Sequence, residues 1–183
     1  MKLVDTHCHL DFDKFDGERD AVVQRAFENG VTRIIVPALD LQNCEPVLQL
    51  TEQYEGVFAA MGVHPNATPF CLKTGWKPSS ASLNTKKVVA IGEIGLDYYW
   101  HDSPPAVQHE ALRRQLALAA ALDLPVIIHN RDASQDVIRL LAESPLAGRE
   151  RPGVLHSFSA DWATAQAALD MGFLPRVHRP GDV

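Results

Sequence analysis

The sequence predicts an α/β fold built on a parallel sheet. Short apolar strand candidates alternate with helix candidates six times along 183 residues, the signature of repeated strand–helix units. The strands lack a polar side and read as buried on both faces, as parallel strands are. Five of the six also end, at their C-terminal side, in a residue able to hold a metal ion. An open doubly wound sheet and a closed (β/α)8 barrel both fit the alternation, and the placement of the polar residues bears on the choice.

The elements follow in chain order. Residues 2–5 form a short apolar-centred strand. Residues 18–29 form a helix, with Val22, Val23, Ala26 and Phe27 on one stripe and Gly30 in the capping position. Residues 33–36 are a strand stopped by Pro37, and residues 44–54 a helix that tolerates Pro46 in its first turn. A strand over 57–62 leads into a polar stretch, from about 65 to 85, rich in Pro, Ser, Thr and Lys. After a strand over 88–91, residues 105–122 make the clearest helix, with Leu112, Leu116, Ala119 and Leu122 along one face. A strand over 126–128, a helix over 133–142, a strand over 153–155 and a helix over 161–171 complete the series.

Composition places the chain among folded proteins. It is 46% hydrophobic and 22% charged, enough apolar content for one domain's core and too much for a disordered chain. No apolar run approaches the roughly 20 residues that span a bilayer, so no membrane association is expected. Seventeen basic against 23 acidic residues leave a net charge of −6, which argues against tight non-specific DNA binding by protein cations alone. Bound metal ions would change that locally. Cys8, Cys44 and Cys71 are odd in number, without C-x-x-C spacing, which favours a reducing compartment. Asp5 interrupts any signal-peptide apolar region, so the expected location is cytoplasmic.

The chemistry lies at the strand ends. The first strand runs into Asp5-Thr6-His7-Cys8-His9, the third is followed by His64-Pro65, the fourth by Glu93, the fifth by His129 and the sixth by His156. In a parallel barrel the strand C-termini converge on one face, so residues scattered along the chain meet in one cavity. His7 and His9, two apart in an extended segment, project to the same side and suit one divalent ion. A carboxylate offers two oxygens, so Glu93 can bridge two ions, with His129 and His156 on the second. Two such ions can activate a water and clamp an in-line phosphoryl displacement.

Single residues at these positions mean less than the set. A lone His at a strand end is usually structural, and an H-x-H pair recurs by chance. The ordered series is what points to metal. Cys8 faces away from its neighbours and reads as core. Arg131 suits a phosphate or an ion pair with Asp132 or Asp136, and His64 suits pocket lining or a turn. His101 and His109 read as solvent-facing, and Tyr98, Tyr99 and Trp100 suit stacking on bases or, more readily, a roof over the barrel. Lys73 and Lys77 are further candidate substrate contacts.

At these residues the sequence resembles the TatD family of metal-dependent deoxyribonucleases. The matching stretches are residues 4–10, 61–65, 91–98, 127–131 and 155–159, of which Gly92-Glu93-Ile94-Gly95-Leu96-Asp97-Tyr98 is the most specific. The resemblance implies a (β/α)8 TIM-barrel fold and hydrolysis of DNA phosphodiesters, often from the 3′ end. It also implies two divalent ions, Mg²⁺ first, with Zn²⁺ or Mn²⁺ compatible with the histidines. His7, His9 and Glu93 would hold one ion; Glu93, His129 and His156 would surround the other. Glu93 would be the catalytic carboxylate, His64 and Arg131 substrate contacts, and DNA the partner, with no obligate protein partner.

The family also carries an aspartate after its eighth strand, for which neither Asp170 nor Asp182 is a counterpart. The pattern runs to about Phe173, giving an incomplete barrel of about six strand–helix units in a domain over 1–173. The tail, 174–183, reads as neither strand nor helix. Shifted by one base, a back-translation of it is similar to the family's seventh strand, so the tail is expected to be a frame-shifted remnant and activity to be impaired. Two alternatives stay open: hydrolysis of an amide or ester by a related barrel, and an inactive metal-binding remnant.

Overall fold

A computed structural model describes residues 2–68 and 85–177. The described chain runs through β1 (Leu3–Asp5), α1 (Arg19–Glu28), β2 (Val31–Pro37), α2 (Cys44–Gln53), β3 (Val57–Ala60), β4 (Val88–Asp97), α3 (Pro105–Leu122), β5 (Val126–Arg131), α4 (Ser134–Ala142), β6 (Gly153–Leu155), α5 (Trp162–Asp170) and β7 (Leu174–Pro175). Single 3₁₀ turns lie at Asp13–Phe15 and Pro65–Ala67. The strands form one parallel sheet in sequential order, β1 to β7. Sequential parallel order joined by helices is barrel topology rather than a doubly wound sheet, which reverses direction partway. None of the described helices is long and apolar enough to cross a membrane.

Strand alternation sorts the core into two faces. Ile34, Val36, Val57, Ala59, Ile91, Val126, Ile128 and Leu155 pack outward with Leu112 and Leu116 of α3, Val137, Leu140 and Leu141 of α4, and Ala168 of α5. Their sequence neighbours Ile35, Ala60, Ala90, Ile127 and Val154, one from each of five successive strands, pack together on the inner face. The inner residues from β3 and β4 are the small Ala60 and Ala90. The curl of the sheet brings distant strands together: His7, just after β1, stacks on His156, just after β6, with ring centroids 4.1 Å apart.

The helices fall within a residue or two of the expected spans, and α3 and β6 match theirs. Two strands depart. β4 runs to Asp97, six residues past the expected end at Ile91. Its pairing with β5 shifts register between Ile91 and Ile94, so both isoleucines face the helices and the simple alternation breaks there. Beyond the shift, Glu93, Gly95 and Asp97 share one face. The second departure is β7: Leu174–Pro175 pairs with Val154 and Leu155, and backbone bonds from Arg176 to Leu155 and from Phe158 to Arg176 extend it. Two residues are too few to carry a sequence pattern, and the neighbouring edge of β6 orders them. The tail is therefore not free of strand, contrary to expectation. Cys71, Lys73 and Lys77 lie outside the described residues.

Candidate metal centre

Glu93 organises the site. It sits on the inner face of β4 and is 3% exposed, and its two oxygens face different partners. Oε2 lies 3.2 Å from His7 Nε2 and 3.9 Å from His9 Nε2. Oε1 lies 2.6 Å from His156 Nε2, 2.9 Å from His129 Nδ1 and 3.7 Å from His64 Nε2. These six residues, with Leu39, Asn66 and Ala67, line a cavity of about 480 Å³ at the carboxyl ends of the strands. All five expected metal residues thus meet in one place, and His64 joins them.

The local backbone accounts for this convergence. His9 lies beyond His7 in the segment after β1, and the two imidazoles meet with Nε2 atoms 3.1 Å apart. His129 leaves β5 on the same face as Ile127 of the inner core. Opposite it, Gly95 lets β4 and β5 approach. A Cβ there would lie 2.0 Å from the carbonyl oxygen of His129, and the Gly95 φ of +148° is one that L side chains rarely adopt.

The donor set fits divalent cations. The ligand atoms of His7, His9 and Glu93 lie within 4.8 Å of one another, as do those of His64, Glu93 and His129. A cation about 2.1 Å from each donor separates neighbouring donors by roughly 3.0–3.4 Å; His7 Nε2 lies 3.1 Å from His9 Nε2 and 3.2 Å from Oε2, and His9 Nε2 lies 3.9 Å from Oε2. Two imidazole nitrogens facing each other at 3.1 Å cannot both donate, whereas a shared cation satisfies both lone pairs. Nδ1 of His7 and Nδ1 of His9 are buried without hydrogen-bond partners in the structure. Asp11, hydrogen-bonded through its other oxygen to Asn43, approaches His9 Nδ1 at 3.8 Å.

Electrostatics follow from the packing. Burial opposes a charge on Glu93, but hydrogen bonds from His129, His156 and His7 outweigh it and hold the carboxyl well below its ordinary range. Burial likewise opposes a charge on His129, and Glu93 and Asp97 at its two nitrogens reverse that and raise its pKa. Burial lowers His7 and pushes His64 down to about 4. His64 Nδ1 accepts a hydrogen bond from the Asn66 backbone N–H at 3.3 Å. The proton of neutral His64 therefore sits on Nε2, which faces the cavity as a donor.

Asp97 is the site residue that strand-end reasoning missed. It is 1% exposed, and its Oδ2 lies 2.9 Å from His129 Nε2. Its signal was available in the sequence. Glu93 and Asp97 are four apart, hence on one face of a strand that continues past Ile91, as β4 does.

Four other expectations need correction or placement. Arg131 pairs with neither Asp132 nor Asp136; its guanidinium lies 3.9 Å from the Tyr99 ring centroid, while Asp136 is engaged by Arg139 and Tyr98. His109 does not face solvent freely, since its Nε2 lies 2.6 Å from the Tyr98 hydroxyl. Tyr98 thereby ties α3 to α4, and Tyr99 and Trp100 sit half-exposed rather than roofing the cavity. Cys8 is only partly buried, against the main core, and burial raises its thiol pKa to about 11.

A curled parallel sheet that gathers histidines round a buried carboxylate at its carboxyl edge defines the class: the metal-dependent hydrolases built on TIM-barrel sheets. Within that class, residues 4–178 match the model of the TatD related DNase family, and the chain belongs to it. It is 39% identical over 175 residues to the uncharacterized metal-dependent hydrolase YabD of Bacillus subtilis, covering 93% of this chain and 66% of that protein. It is 33% identical to the 3′-5′ ssDNA/RNA exonuclease TatD of Salmonella typhimurium, covering 93% of this chain and 65% of that one. The crystal structure of the TatD homologue YjjV from Escherichia coli superposes with a TM-score of 0.78 at 38% identity, over 94% of this chain and 66% of that one. The chain thus spans about two thirds of the length of these relatives.

Proposed function

We propose that this chain carries the metal centre of a hydrolase that cleaves phosphodiester bonds in DNA from the 3′ end. The observation that carries the reading is the division of labour at Glu93: one oxygen faces His7 and His9, the other His129 and His156. Such a bridging carboxylate suits two cations sharing one substrate group. The family membership and the name of the Salmonella typhimurium relative support nucleic acid as that substrate.

In this reading His7, His9 and Glu93 hold one divalent ion, and Glu93, His129 and His156 the second, with Mg²⁺ as the first choice. The ions supply activation of water and neutralisation of phosphate charge. The protein's residues do the rest. Asp97 accepts the Nε2 proton of His129, which leaves the Nδ1 lone pair directed into the cavity. His64 presents its Nε2–H to a non-bridging phosphate oxygen. A reducing, cytoplasmic setting is proposed from the cysteine pattern.

The test is a metal titration on single-stranded DNA labelled at either end, run beside RNA and a panel of amides and esters. The expected result is divalent-metal-dependent loss of the 3′ label, abolished in His7→Ala and Glu93→Ala. Hydrolysis confined to amides or esters, or nuclease activity that survives both substitutions, overturns the reading.

A further inference from the structure

Two residues beyond His129 on β5, a cation is held by rings instead of by a carboxylate. Arg131 ends β5 two residues beyond His129, on the same face of the strand, so its side chain leaves on the cavity side, one step further out. Its guanidinium lies 3.9 Å from the Tyr99 ring centroid and 5.7 Å from that of Trp100. Among the described residues its side chain makes no ion pair or hydrogen bond. The charge is therefore not neutralised, and the N–H donors of the guanidinium fork remain available.

The rings beneath it are unusually open. Tyr99 and Trp100 meet edge to face at 4.9 Å and remain 50% and 51% exposed. Their turn is nevertheless fixed. Asp97 Oδ1 accepts the backbone N–H groups of Tyr99 and Trp100, each at 3.0 Å, while Oδ2 of the same carboxylate holds His129. One buried side chain thus pins the aromatic pair to a candidate metal ligand. A rigid, half-bare aromatic pair with an unneutralised planar cation, set at a fixed offset from a hydrolytic centre, matches one ligand chemistry: a π-face adjoining an anion.

We propose that Tyr99, Trp100 and Arg131 form a docking shelf for a single nucleic-acid strand. A base stacks on the open ring of Trp100, and Arg131 takes the adjoining phosphate while stacked on Tyr99. Stacking is tolerant of sequence because every base has a π-face. A duplex keeps those faces covered, so the shelf selects single strands. With a net charge of −6 the protein as a whole repels a polyanion, and the strand is retained by such local contacts together with the metal centre. This inference rests on the nucleic-acid reading of that centre.

The test is fluorescence anisotropy of a hydrolysis-resistant phosphorothioate oligothymidylate with Mg²⁺ present, beside an abasic strand of the same length. Trp100→Ala and Arg131→Ala should each weaken oligothymidylate binding about tenfold. Trp100→Phe should restore most of the affinity, and Arg131→Lys only part of it. The abasic strand should bind weakly and be indifferent to Trp100→Ala. Binding by either alanine variant within about twofold of the parent overturns the shelf, as does an equal loss for the abasic strand or no strand binding by the parent. Thermal melting confirms that each variant folds. Hydrolysis of bis(p-nitrophenyl) phosphate reads the metal centre separately. Its absence counts against the phosphodiesterase reading and leaves the anisotropy result to judge the shelf.

Discussion

Asp97 Oδ2 lies 2.9 Å from Nε2 of His129, and the opposite nitrogen of the same ring lies 2.9 Å from Glu93 Oε1. The imidazole is therefore oriented from both ends by carboxylates on one strand. Outer carboxylates of this kind fix ring orientation and tautomer, and their loss typically lowers metal affinity 10- to 100-fold. Asp97→Asn keeps a side-chain oxygen for the Tyr99 and Trp100 amides but loses the charge at His129. It should weaken divalent-metal binding by roughly 10- to 100-fold, measured by titration calorimetry with Mn²⁺ or Zn²⁺. Parental affinity in this variant would show that His129 needs no such partner.

Glu93→Gln tests the bridge. An amide presents one oxygen and one N–H₂ group, so one of the two imidazole sets then faces a donor instead of an acceptor. Metal content after dialysis should fall by at least one ion per chain, read by elemental analysis. Removal of metal with a chelator should abolish hydrolysis by the parent. An unchanged ion count in Glu93→Gln would separate the two sites from this carboxylate.

Gly95→Ala tests the strand spacing that delivers His129. The added Cβ would lie 2.0 Å from a backbone oxygen, at a φ of +148°. Strain and overpacking together should cost at least about 2 kcal/mol, a fall in Tm of roughly 4–8 °C for a chain of this size. Differential scanning calorimetry would read it, and a Tm within about 1 °C of the parent would contradict the observed pairing of β4 and β5.

Alkaline stability should depend on Tyr54, which follows α2 and donates its hydroxyl hydrogen bond to Asp20 of α1. Burial, then the Asp20 carboxylate, pushes its pKa from 10.0 up to about 12. The unfolded chain releases this proton first, so the folded state holds more protons between those values and its stability falls as pH rises through them. The contribution is complete below pH 10. Tyr54→Phe should flatten the decline between pH 10 and about 12, measured by denaturant melts across that range. An unaltered slope would assign the alkaline loss elsewhere.

Much of this was legible in the chain before folding. Strand–helix alternation, the apolar stripe of α3 and the order His7, His9, Glu93, His129, His156 needed only local periodicity and residue chemistry. Local rules carry such features because turn geometry and side-chain spacing act over a few residues. They failed where the pattern was not local. The register shift between Ile91 and Ile94 hid the last six residues of β4, and with them Asp97. The two-residue β7 exists only because the edge of β6 is there to receive it.

Residue types and their order along the strands picked out the candidate metal-binding set. Which oxygen of Glu93 meets which imidazole was settled only by the curl of the sheet, which stacks His7 on His156 across most of the chain. The same holds for Arg131. Sequence offered it nearby aspartates, whereas the closing of β4 on β5 put the rings of Tyr99 and Trp100 beneath it. Contacts between strands far apart in sequence depend on sheet curvature and register, and no local pattern encodes either one.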